Sequence, residues 1–80
     1  MIAYKASVAR DLKKIDQTQS RKLLSKLEKT LENNPDAGEP LKGEFAGLFK
    51  YRMGDYRVIY AKMSEGVLVL RIDHRKDVYR

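Results

Sequence analysis

The chain has 80 residues, no cysteine and one histidine, which excludes disulfides, a thiolate nucleophile, cysteine-ligated metals and a histidine-only metal site within one chain. Seventeen basic against eleven acidic side chains give +6, with residues 1–40 (eight against six) contributing +2 and residues 41–80 (nine against five) +4. Basicity of this size favours nucleic acid, anionic membrane or acidic protein as partner without choosing among them. The length suits a single domain, residues 1–80, around one hydrophobic core, and no repeat, linker or low-complexity tract divides it. No apolar run approaches the ~20 residues of a membrane span. Met1 is followed by Ile-Ala-Tyr-Lys, without the pattern of a leader, so a soluble, cytoplasmic protein with no membrane partner is expected.

Ile2-Ala3-Tyr4-Lys5-Ala6 alternates in the manner of a short strand. Ser7 is placed to cap a first helix with Val8, Leu12 and Ile15 on one face. Asp16 to Asn33 carries the clearest helical pattern: Leu23, Leu24, Leu27 and Leu31 form one stripe, surrounded by Arg21, Lys22, Lys26, Lys29 and Glu32. Asn33-Asn34-Pro35 ends it, because proline disfavours helix in its predecessor. A polar loop through Gly38, Pro40 and Gly43 follows. Strands are then expected over 48–53, 56–63 and 67–74, broken at Gly54-Asp55 and Ser64-Glu65-Gly66. The order β-α-α-β-β-β predicts an α+β fold with two helices packed on an antiparallel sheet.

Register carries the functional inference. A two-residue turn at Gly54-Asp55 pairs Met53 with Tyr56, Arg52 with Arg57, Tyr51 with Val58, and Lys50 with Ile59. One face then holds Phe49, Tyr51, Met53, Tyr56, Val58 and Tyr60, which the helices can cover, and the other holds Lys50, Arg52 and Arg57. A three-residue turn at Ser64-Glu65-Gly66 would add Leu68, Leu70 and Ile72 to the apolar face, and Arg71, Asp73 and Arg75 to the basic one. Like charges at cross-strand distance repel, and Asp73 is the one acid expected among five cations. A cluster that destabilises the empty fold points to an anionic ligand, and arginine forks suit phosphate oxygens. In the tail, Tyr79 lies near Arg75 and Lys76, an aromatic beside cations as in single-stranded nucleic-acid binders.

Three separated segments carry a resemblance: Gly47-Leu48-Phe49-Lys50-Tyr51-Arg52, Asp55-Tyr56-Arg57-Val58-Ile59-Tyr60, and His74-Arg75-Lys76-Asp77-Val78-Tyr79-Arg80. Together with Leu41-Lys42-Gly43 and the element order, they resemble the RelE/ParE toxin superfamily. The resemblance implies a toxin of a type II toxin–antitoxin pair, bound in a hetero-oligomer by a cognate antitoxin. RelE-like members enter the ribosomal A site and cut messenger RNA by attack of a ribose 2′-hydroxyl on the adjacent phosphate, with no metal or cofactor. ParE-like members share the fold, lack most of these residues and act on DNA gyrase; a non-toxic, complex-forming member is a further alternative. By resemblance the catalytic set is Lys50, Arg52, Arg57, Arg75 and Tyr79, Arg52 standing where the best-known RelE has a lysine. Lys50, Arg57, Arg75 and Tyr79 together favour the RelE branch. The RNA-binding set is Lys50, Arg52, Arg57, Arg71, Arg75, Lys76 and Tyr79.

Cleavage of this kind needs a base for the 2′-proton, cations for the phosphorane and help for the leaving 5′-oxygen. Lys50 is the best base candidate, since neighbouring cations disfavour its protonated form. Arg52 and Arg57 would clamp phosphate, as arginine makes a poor base. The acid is open between Arg75, by resemblance, and His74, by its intrinsic titration range, although the register sets His74 on the apolar face. Tyr79 would stack the base at the cut site.

Overall fold

A computed structural model describes residues 1–74. The chain forms β1 (Ile2–Tyr4), α1 (Ala6–Leu12), α2 (Gln17–Asn33), β2 (Glu39–Pro40), a 3₁₀ turn (Gly43–Phe45), β3 (Leu48–Met53), β4 (Tyr56–Met63) and β5 (Gly66–His74). The five strands make one sheet in the order β1-β5-β4-β3-β2. The expected two helices on a sheet are present, with two corrections. The sheet is mixed, because β1 runs parallel to β5, and the loop after α2 contributes the edge strand β2 beside β3. A parallel neighbour needs a crossover, and the two helices lie in that crossover between β1 and the hairpins.

Helix α2 forms where the leucine spacing requires it. Leu23, Leu27 and Leu31 are buried, and Leu24 is partly so. Asp16 caps the start, accepting from the backbone N–H of Thr18 at 3.1 Å and Gln19 at 3.3 Å. The Asn34 N–H closes the far end on the Thr30 carbonyl, one residue before Pro35. Helix α1 begins two residues earlier than Ser7 as cap would place it: Lys5 holds the N-cap position, and Ile15 falls in the turn between the helices. Val8 and the α2 leucines close a core with Met53, Val58, Tyr60, Val67, Val69 and Ile72 from the sheet. Tyr60 is fully buried; its hydroxyl donates to the Pro35 carbonyl at 2.7 Å and accepts from the Gly38 N–H at 2.9 Å. That pair fixes the loop leading into β2.

The first hairpin has the expected register throughout, Lys50 opposite Ile59 and Arg52 opposite Arg57. Gly54 takes φ 59°, the positive value that the first position of such a loop demands and glycine supplies at least cost. The second hairpin corrects the sequence reading. Met63 pairs with Gly66, so the loop is the two residues Ser64-Glu65, and Val67 and Val69 face the core in place of Leu68 and Leu70. Gly66 opens the strand by pairing with Met63, and the Met1 carbonyl lies against it, 1.9 Å from where a Cβ would stand, so the position requires glycine. A β-bulge then shifts the register: Tyr60 pairs with Val69 but Ile59 with Arg71, leaving Leu70 as the extra residue. Parity changes by one there, so Ile72 still enters the core while Arg71 and Asp73 join the opposite face.

Candidate nucleic-acid interface

The face turned away from the helices carries two cross-strand rows. Arg52, Arg57 and Asp73 are neighbours across β3, β4 and β5. Glu39, Lys50, Ile59 and Arg71 form the next row, from β2 to β5. Lys50, Arg52, Arg57 and Arg71, four of the predicted site cations, are therefore brought together on one uncovered surface with Ile59 between them. Arg75, Lys76 and Tyr79 lie outside the described residues. His74 pairs with Tyr56 on the helix side, as the register implied, and its ring meets the Tyr56 ring edge-on at 5.1 Å. Beside Lys50 and Arg52 a cavity of about 300 Å³ opens, lined also by Ala37, Glu39 and Tyr51.

Two acids escaped sequence reasoning. Glu39 sits opposite Lys50 because β2 forms, and a two-residue strand ending in proline leaves little pattern to read. Asp11 is the more consequential. It projects from α1 with 6% exposure, and its carboxylate grips the edge of β5. Oδ2 accepts from Arg71 Nε and from the Ile72 backbone N–H, both at 2.9 Å, and Oδ1 accepts from Arg71 Nη2 at 3.1 Å. Arg71 Nη2 also donates to Asp73 Oδ1 at 3.0 Å. Burial pushes the Asp11 carboxyl up, but the hydrogen bonds from Arg71 and Ile72 and the charges of Arg71 and Lys14 outweigh it and hold the group below its ordinary range. One turn earlier on α1, the Ser7 hydroxyl donates to the Leu70 carbonyl at 2.6 Å. The signal was present in the spacing: positions 8, 11, 12 and 15 share one helical stripe, and an acid on an apolar stripe needs a buried partner.

Asp11, Arg71 and Asp73 together carry a net charge of −1, since one cation is shared by two carboxylates. The cations opposite and beside each other on β3 and β4 are Lys50, Arg52 and Arg57. Their clustering gives this face the positive charge and the guanidinium chemistry that suit phosphate oxygens.

Fold and surface together define a small α+β protein with a cationic sheet face behind a two-helix layer. Residues 2–79 match the family described as ParE toxin of type II toxin–antitoxin systems, parDE. The chain belongs to this toxin family, which places it among the type II toxins of the RelE/ParE group. Toxin RelE of Mycobacterium tuberculosis is 35% identical over 83 aligned positions, covering 99% of this chain and 84% of RelE. Toxin RelG of the same organism is 49% identical over 45 residues, 54% of this chain and 52% of RelG, so the chain aligns with about half of that relative. Among solved structures, a chain of the toxin–antitoxin complex RelBE2 from M. tuberculosis superposes with a TM-score of 0.85 at 32% identity, covering 94% of this chain and 96% of that one.

Proposed function

We propose that this toxin is a ribosome-dependent endonuclease that cuts messenger RNA in the A site and is held inactive by a cognate antitoxin. The observation that carries the reading is the convergence of Lys50, Arg52 and Arg57 on the sheet face that the helices leave uncovered. The resemblance to the RelE branch supplies the chemistry. A ribose 2′-oxygen attacks the adjacent phosphorus, the bond to the 5′-oxygen breaks, and a cyclic phosphate and a free 5′-hydroxyl result. Lys50 takes the 2′-proton, Arg52 and Arg57 hold the two non-bridging oxygens as charge develops, and Arg75 serves the leaving oxygen, with Tyr79 stacked on the base. His74 is engaged with Tyr56 on the opposite face, which favours Arg75 over His74 in that role. A partner antitoxin is supported by the RelBE2 complex, in which the similar chain is paired with one.

The test is a purified translation reaction on a defined message, with new RNA ends mapped by primer extension. Cuts that require the ribosome and disappear with Arg57→Ala, with folding intact, are the expected result. Intact message under continuing translation would refute the nuclease reading and favour the gyrase-directed activity of ParE-like toxins.

A further inference from the structure

We propose that Asp11 is a positioning residue that withdraws Arg71 from the RNA-contacting cations of the sheet face. The inference rests on the reading of the sheet face as an RNA interface. By position alone Arg71 belongs to that interface, since it faces the same side as Lys50 and lies across Ile59 from it. Its side chain is half-exposed, so exposure does not remove it.

What removes it is the geometry of its partners. Asp11 reaches around the β5 edge from the helical layer and binds the guanidinium through two oxygens, while Asp73 takes the remaining side of Nη2. Nε and Nη2 are thus held by carboxylates, so Arg71 can turn its Nε–Nη2 edge to a phosphate only by displacing the buried Asp11, while a phosphate at the remaining Nη1 meets two carboxylates against one cation. Asp11 cannot swing away, because its Oδ2 also accepts from the Ile72 N–H. That amide faces α1 because β1 ends at Tyr4, so past Val69 no strand lies beside this edge of β5 among the described residues. Ser7 and Asp11, one helical turn apart, take over as its hydrogen-bonding partners at Leu70 and Ile72. The bulge at Leu70 and the capture of Arg71 are thus one device: the helix satisfies the unpaired edge and neutralises the cation the bulge turns outward.

The experiment measures binding of the full chain to a labelled single-stranded RNA oligonucleotide at increasing salt. Each phosphate contact by a cation contributes about 0.7 to the slope of log K against log salt for a single strand. Arg71→Gln is expected to leave the wild-type slope unchanged, whereas Arg52→Gln and Arg57→Gln each lower it by about 0.7. Asp11→Asn is expected to steepen it by about 0.7, because Arg71 becomes available to RNA. A role of Asp11 in folding alone would not steepen the slope. The double variant Asp11→Asn/Arg71→Gln removes both charges together and should match the wild type, which keeps the test decisive if a single variant fails to fold. A drop in slope for Arg71→Gln or for the double variant would overturn the proposal. A wild-type slope near zero would instead overturn the RNA interface on which it rests.

Discussion

Replacing Tyr60 with phenylalanine isolates the contact that anchors the loop beside the candidate site. The ring stays, stacked on Phe49 at 5.4 Å between centroids, so packing and volume are nearly conserved. The hydroxyl goes, and with it two hydrogen bonds of 2.7 and 2.9 Å. Gly38 is buried, so its N–H loses its partner without gaining water, a cost of about 1–3 kcal/mol. The Pro35 carbonyl belongs to an exposed residue and can recruit solvent, which limits its share to about 0.5–1 kcal/mol. The expected loss is about 2–3 kcal/mol, a large part of the stability of a domain this small. At about 4–8 °C per kcal/mol, Tm should fall by about 10–20 °C. Urea unfolding should show a lower midpoint with an unchanged slope, because the surface exposed on unfolding is the same. A loss below about 0.5 kcal/mol would refute the reasoning, as it would mean the Gly38 N–H finds another partner.

Three more outcomes follow from the same structure. Arg52→Gln removes one of two arginines that face each other across β3 and β4, and should stabilise the isolated protein by about 0.2–1 kcal/mol in denaturant titration while weakening RNA binding. Asp11 has a lowered folded pKa, so its stability contribution is present above the unfolded value of about 3.9 and is lost as pH falls through the folded one. Urea midpoints taken on acidification below about pH 4 should therefore fall less steeply for Asp11→Asn than for wild type, and parallel curves would contradict the assignment. Asp16→Ala removes the cap from the Thr18 and Gln19 amides and should cost about 1 kcal/mol by thermal unfolding, with helix content otherwise kept.

Local pattern alone determined most of the elements and the placing of Lys50, Arg52 and Arg57 on one sheet face. The leucine spacing of α2, the Asn-Asn-Pro stop and the Gly54-Asp55 turn depend on neighbours in sequence, and so does the register that sets Arg52 opposite Arg57. The resemblance in the hairpin and tail segments gave the family before any coordinates. Tertiary structure decided what lies between distant segments. That position 66 has no room for a side chain depends on Met1, 65 positions away, resting against it. That Arg71 and Asp73 reach the outer face despite a shorter turn depends on a bulge, and the ladder around that bulge is completed by Ser7 and Asp11 of a helix. A periodicity of two or of 3.6 reports which residues share a face. It does not report which helix will lie along an unpaired strand edge, because that is set by where β1 stops and by the need of a buried N–H and a buried carboxylate for partners.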